Sequence, residues 1–177
     1  MKIYLVRHAE KEREGENPNL TKKGVKQAKL LAKRLKKIKF DKFYCSDLNR
    51  TVETAGIVSK EVKLKPIQES CLREFETDLI KTNKNKWTKA EKNQYKRLIS
   101  FINKLIKNKS QEENILLIAH GFVNRVVMAH LLKMHLKKFI TFTQNETCLN
   151  VLHWNEKHKN WRLEKMNDNS HIPERLR

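Results

Sequence analysis

Arg7 and His8 close an apolar run, KIYLVRH, at residues 2–8. His120 closes another, NILLIAH, at 114–120, and Ser46 closes a third, FDKFYCS, at 40–46. Arg50 follows Ser46 by one helical turn, and Glu74 stands in LREF after a weaker apolar stretch, KPIQES, at 65–70. These residue types make a coherent chemical set. Two guanidinium groups can fork onto the oxygens of a phosphate. Two imidazoles can flank the phosphorus, and a neutral imidazole is a competent nucleophile toward it. One carboxyl group beside them can serve first as acid and then as base. The arginines also neutralise the anion that would repel an attacking group, and they bias His8 toward its uncharged form. Guanidinium groups supply the charge stabilisation, so the chemistry requires neither metal nor cofactor.

Such a set works only if the fold gathers it. KIYLVRH, FDKFYCS and NILLIAH are short, rich in β-branched and aromatic residues, and bounded by charge, the pattern of buried strands. KPIQES is a weaker strand, and TCLNVLHWN and WRLEKMN are two final strands joined by a turn at EKHKN. Between them lie helical patterns. One opens at LTKKG with Thr21 as N-cap and places Val25, Ala28, Ala32 and Leu35 at helical spacing. A second opens at SDLNRTVETAGIVSK with Ser46 or Asp47 as cap. A third carries Leu98, Ile102, Leu105 and Ile106 on one face, and GFVNRVVMAHLLKM forms the last. Strands alternating with helices predict a three-layer α/β/α sandwich on a mostly parallel sheet, with one antiparallel step at the C-terminal hairpin. Ligand sites of such sheets lie at the carboxyl ends of the strands. That is where Arg7, His8, Ser46, Arg50, Glu74 and His120 would meet.

At these positions the sequence resembles the histidine phosphatase superfamily, also called the phosphoglycerate mutase-like family. The likeness runs through RHAE at 7–10, LTKKGVKQA at 20–28, SDLNRTVETA at 46–55, LRE at 72–74 and AHG at 119–121, and it extends into the closing hairpin. The resemblance implies a role for each residue. His8 would be the nucleophile that becomes phosphorylated. Arg7, Arg50 and His120 would bind the phosphoryl oxygens, with His120 cationic in the transition state. Glu74 would protonate the leaving oxygen and then activate water. Gly121, at a helix N-terminus, could offer a backbone N–H to the same oxygens. The sequence departs from the family pattern at Ala9, where Gly is usual, and at Glu14, where many members carry an asparagine phosphate ligand. Asn17 or Asn19 could replace that asparagine, and Lys11 or Arg13 could touch substrate, against the alternative of a solvated loop.

Other candidates read as structural. Glu69, Glu76 and Asp78 lie close to Glu74 in sequence, and Glu69 is the next candidate for the acid. Arg73 and Arg125 read as salt-bridging residues, and Ser46 as a cap or a support to the site. His130 and His135 are five apart, poor geometry for a metal, and His153, His158 and His171, in the final hairpin and tail, read as structural or surface residues. Cys45, Cys71 and Cys148 form no ligand motif, and an odd count argues against a disulfide framework.

The length, 177 residues, fits one domain with a single core over 1–177, interrupted by a lysine-rich exposed excursion at about 75–97. The formal net charge is +19, from 29 lysines and 10 arginines. Lysines spread along the whole chain read as a solvated surface rather than a nucleic-acid interface, since recognition of bases and phosphates leans on arginine. The field would still draw in anions. There is neither a signal peptide nor an apolar run of about 18 residues, so the expected location is the cytoplasm, with no membrane partner. The expected partner is a phosphorylated small molecule or a phosphoprotein. The expected activity is a metal-independent phosphatase working through phosphohistidine. Mutase-type phosphoryl transfer and a non-catalytic phosphate-binding module are the alternatives. The short insertion after Glu74 favours the phosphatase, because a mutase must hold its intermediate away from water.

Overall fold

Four apolar residues in succession, Ile3 to Val6, are buried on both sides of the first strand, β1 (Lys2–Arg7). A strand without a polar face must be covered above and below, and helices do so here. The computed structural model describes residues 1–75, 86–109, 112–139 and 141–177. The strands are β1, β2 (Lys42–Cys45), β3 (Ile67–Gln68), β4 (Asn114–Ala119), β5 (Leu149–Asn155) and β6 (Asn160–Asp168), in the spatial order β3-β2-β4-β1-β5-β6. The first four pair in parallel. β5 alone runs against the others, laddered antiparallel to β1 on one side and to β6 on the other.

Side-chain alternation along the strands separates two cores. Tyr4, Val6, Leu116 and Ile118 face α1 (Lys22–Leu35) and α2 (Asn49–Val62), through Leu31, Leu35, Ala55 and Val58. Ile3, Leu5, Ile115 and Leu117 face α3 (Lys89–Leu105) and α4 (Gly121–Leu131), through Leu98, Ile102, Val123 and Val127. The architecture is therefore the expected α/β/α sandwich. A short fifth helix, α5 (Leu136–Phe139), follows α4. No described helix is long and apolar enough to cross a membrane.

Three local expectations change. The 75–97 stretch is not an exposed excursion throughout. Residues 76–85, with Glu76 and Asp78, lie outside the described residues, but α3 already begins at Lys89. It opens on a capping box in which Thr88 and Glu91 satisfy each other's backbone N–H groups. Trp87 is buried between Phe75 and Tyr95, ring to ring. Its lysine neighbours hid a core residue. The second change concerns α2, which starts at Asn49 behind Leu48, without a cap from its own segment. Ser46 instead accepts from the Leu48 N–H at 3.3 Å. In α1, Thr21 caps as expected by accepting from the Gly24 N–H at 2.8 Å. There, however, the fully covered positions are Gly24, Gln27, Ala28, Leu31, Ala32 and Leu35, and Val25 is only half-buried.

Candidate active site

β1 and β4 are parallel neighbours, with Arg7 opposite Ala119. The chain leaves β1 toward the α1 face and leaves β4 toward the α4 face. The departing segments diverge and open a crevice beyond the strand ends, the usual ligand position in such sheets. His8 and His120, each one residue past its strand, stand in that crevice with ring centroids 5.2 Å apart.

His8 is held by its neighbours. Its backbone N–H donates to the Ala119 carbonyl at 3.0 Å. Its Nδ1 lies 2.7 Å from the Ala9 carbonyl, which can only accept, so Nδ1 carries the proton and Nε2 keeps its lone pair. Ala9 is fixed in turn: its N–H donates to Thr54 Oγ1 at 3.1 Å, and that hydroxyl donates to the Arg50 carbonyl. Burial, and then the charges of Arg7 and Arg50, push the His8 pKa down to about 3. The ring is neutral at physiological pH.

His120 is fully buried, and neither ring nitrogen has a hydrogen-bond partner among the described residues. Arg50, in the first turn of α2 and almost fully buried, has an unpartnered Nε as well. Native proteins rarely leave buried polar atoms unpaired, so these atoms point to a ligand rich in acceptors. Burial, with His8, Arg50 and Arg7 nearby, holds the His120 pKa well below its ordinary value. Burial and Arg7 lower that of Arg50, while Glu74 opposes them. A bound dianion acts in the opposite direction on both.

Glu74 arrives from the segment after β3. Its carboxyl accepts at 3.3 Å from the backbone N–H groups of Phe122 and Val123, in the first turn of α4, and at 3.2 Å from that of Phe75. Those three donors favour the carboxylate. Burial outweighs them, and the pKa is raised. Glu69 stands before the 3-10 turn at Ser70–Leu72, where its charge is felt by Cys71. Glu74, rather than Glu69, is therefore the carboxyl group placed beside α4 and Arg50.

Arg7 donates through Nη1 to the Gln144 carbonyl and pairs through Nη2 with Glu146 at 3.0 Å. Gly121 lies beneath it: a Cβ built there would meet Arg7 Cδ at 3.7 Å and Arg125 Nη1 at 3.2 Å. Both arginine side chains thus lie against the start of α4, Arg7 at ordinary contact distance from a Cβ there and Arg125 through the movable end of its side chain. Arg73 does pair with Asp47, bidentate at 2.7 Å. Arg125 forms no such pair among the described residues. It is buried, donates from Nε to the Phe142 carbonyl at 2.9 Å, and interacts electrostatically with Glu74 and Arg7. Arg125 and Glu146 are therefore two site neighbours that sequence reading missed. For Arg125 a signal existed, because it follows Gly121 by four residues and so lies over the same helix end.

The loop residues are used differently. Asn17 accepts from the Asn49 N–H at 2.9 Å and donates to the Asn49 side chain at 3.1 Å, capping α2 from outside the helix. Asn19 accepts from Asn49 Nδ2 at 2.9 Å. Both amides tie the loop to α2, beside Arg50. Lys11 Nζ reaches the Glu12 carbonyl at 3.3 Å, and its charge contributes at His8. His130 bonds to Asn103, and His171 to Arg34. Among the described residues, no three His, Cys, Asp or Glu side chains converge to hold a metal ion. A cavity of about 720 Å³ between α3, α4 and the β5–β6 hairpin opens beside Trp154, whose backbone N–H donates to the Met1 carbonyl at the other end of the sheet. It contains none of the site residues.

The sequence profile of the histidine phosphatase superfamily (branch 1) matches residues 3–95 and 80–169 of the chain. Phosphoserine phosphatase 1 of Hydrogenobacter thermophilus is 26% identical over 186 residues, covering 89% of this chain and 88% of that protein. "Probable phosphoglycerate mutase GpmB" of Escherichia coli is 33% identical over 108 residues, 56% of this chain and 50% of that protein. Among solved structures, a phosphoserine phosphatase variant from Entamoeba histolytica, in complex with phosphoserine, superposes with a TM-score of 0.73 at 20% identity. The superposition covers 97% of this chain and 99% of that one.

Proposed function

The chain belongs to the histidine phosphatase superfamily, and on that premise we propose that it hydrolyses phosphate monoesters through a phosphohistidine formed on His8. The observation that carries this reading is the His8 tautomer. With its proton held on Nδ1 by the Ala9 carbonyl, Nε2 is free to attack, and the orphaned atoms of His120 and Arg50 stand beside it.

Two balanced steps follow. Nε2 of His8 forms a bond to phosphorus as the ester P–O bond breaks, and Glu74 gives its proton to the departing oxygen. The raised pKa of Glu74 supports its holding that proton beforehand. Water then attacks the phosphohistidine, Glu74 takes back a proton, and the N–P bond breaks to release phosphate and neutral His8. Arg7, Arg50 and His120 bear the charge on the transferring oxygens, with His120 gaining a proton as the dianion counters the neighbouring cations. The α4 N–H groups of Phe122 and Val123 hold Glu74, so their role is to aim the acid, and Gly121, one residue ahead of them, is the backbone donor to the phosphoryl oxygens in this reading.

The substrate is a phosphorylated small molecule or a phosphoprotein. The phosphoserine phosphatase relatives support a small phosphomonoester bearing further charged groups. The mutase relative supports a second reading, in which an alcohol replaces water as acceptor. The three buried, unpaired cysteines support the cytoplasm as location.

The deciding experiment is hydrolysis of an aryl phosphate by the wild-type protein and by His8→Ala, with chelator present. Wild type should turn over and His8→Ala should lose at least about 10³-fold. Rapid quench should trap acid-labile phosphate on His8. Turnover that survives in His8→Ala, or that stops with chelator, excludes the mechanism. Release of free phosphate rather than a transferred phosphoester separates phosphatase from mutase.

A further inference from the structure

Glu146 is an unexpected residue at a phosphate site. It places a carboxylate 3.0 Å from Arg7 Nη2, a group proposed above to receive the phosphoryl oxygens. The contact is not an accident of a loose side chain on a loose loop. The next residue, Thr147, donates its backbone N–H to the carbonyls of Arg7 at 3.1 Å and His8 at 3.3 Å. Thr147 has φ +57°, a left-handed conformation that a β-branched residue rarely adopts. Asn145 N–H bonds to Asn167 Oδ1 at 2.7 Å, and Cys148 N–H to the Asn145 carbonyl at 3.1 Å. The turn is thus sewn to the end of β1 and to the end of β6. Its strain is maintained by those bonds, as strain at functional sites usually is. The Glu146 backbone cannot retreat from the crevice, and its side chain is only about one-third exposed.

A dianion bound on Arg7 therefore has an anionic neighbour that can rotate but cannot leave. Two carboxylates already face the guanidinium groups of Arg7, Arg50 and Arg125, namely Glu74 and Glu146. Glu74 is neutral when it works as the acid. Glu146 has no such proton to carry in the mechanism above. Its charge is left to meet whatever the substrate holds beyond its phosphoryl group.

We propose that Glu146 selects the substrate by charge, favouring phosphate monoesters that carry an ammonium group near the ester oxygen over esters that carry a carboxylate alone. When the phosphoryl group takes Arg7, the Glu146 carboxylate turns to the substrate cation, exchanging one ion pair for another. A carboxylate-only substrate leaves Glu146 unpaired next to two further anions. This inference rests on the phosphatase reading only for the identity of the site. It can be read out without turnover.

The test uses three esters of similar size that differ in charge: O-phosphoethanolamine, ethyl phosphate and phosphoglycolate. They are titrated calorimetrically near neutral pH into His8→Ala and into the same protein carrying Glu146→Gln. With Glu146 present, phosphoethanolamine should bind about tenfold more tightly than phosphoglycolate, since the two differ by two unit charges beside a partly exposed carboxylate, with ethyl phosphate between them. Glu146→Gln should bring the two within about threefold, and Glu146→Lys should invert the order. Equal gains for all three esters on removing Glu146 would make it a simple competitor for Arg7 and overturn the proposal. Equal losses would make it only a support for Arg7, with the same consequence. Hydrolysis of the aryl phosphate by wild type, measured separately, reports on the phosphatase reading, so the two ideas fail independently.

Discussion

Glu74 is the residue whose protonation the proposed mechanism depends on most, and its environment sets opposing influences against each other. Burial raises its pKa, while the N–H groups of Phe122, Phe75 and Val123 lower it, and the balance is upward. The acid form is the one needed for the first step. For an alkyl phosphate, kcat/KM should therefore fall tenfold per unit as pH rises past the raised Glu74 value, with the limb at lower pH set by the second ionisation of the substrate's own phosphate at about 6. His8 does not add a limb near neutrality, because its own pKa lies at about 3. Glu74→Gln keeps the shape and removes the proton. It should cost roughly 10²–10⁴-fold on an alkyl phosphate, and far less on a nitrophenyl ester whose leaving group needs no acid. Comparing the two substrates in one variant checks this, and equal losses would move the acid to another residue.

At the scale of elements, the site depends on how closely α1 approaches the loop after β1. Gly24, in the first turn of α1, has no room for a side chain, because a Cβ there would fall inside the Glu10 carbonyl oxygen. That obstacle is backbone and cannot rotate away. Ala is the better helix former by about 1 kcal/mol, yet overpacking against backbone costs about 1–3 kcal/mol. Gly24→Ala should therefore destabilise the protein, read as a lower urea midpoint. It should also reduce kcat, because Glu10 adjoins Ala9, whose carbonyl fixes the His8 tautomer. An unchanged midpoint and unchanged kcat would show that the loop yields freely. This dependence also bears on how much could be read from sequence. Thr21 was legible as a cap because it serves its own helix, and the apolar runs ending at His8 and His120 were legible because a strand buried on both faces has no polar alternation. The cap of α2 was not, because Asn17 supplies it from 32 residues away. Trp87 was hidden by the lysines around it, and Glu146 by a turn whose direction depends on Thr147 and on backbone bonds to β1. Local chemistry is written in local sequence. Partners brought together by the sheet order are not.

Across the whole molecule, positive charge and buried imidazoles make stability sensitive to acid in a definite direction. His8, His120 and His171 all have folded pKa values below the usual 6.5, with burial the leading cause in each, at about 3 for His8 and about 4 for His171. Below pH 6.5 the unfolded chain takes protons that the folded protein refuses, so stability falls as pH drops from about 6.5 toward 4. Glu74 acts oppositely: its raised pKa means that the folded state binds its proton first, which favours folding as pH falls toward 4.5. Three imidazoles outnumber that single carboxyl. Asp168, held low by Arg34, adds its loss only below its ordinary value near 3.8. The net charge of +19 grows further as histidines of the unfolded or exposed chain protonate, which adds self-repulsion in the same direction. The melting temperature should accordingly decline between pH 7 and 4.5, before ordinary carboxylates titrate. His8→Gln, which removes one of the proton-refusing groups without emptying its space, should make that decline shallower. A melting temperature that is level across this interval would mean that the imidazoles at the ends of β1 and β4 take up protons in the folded state. The neutral nucleophile on which the mechanism depends would then be lost with them.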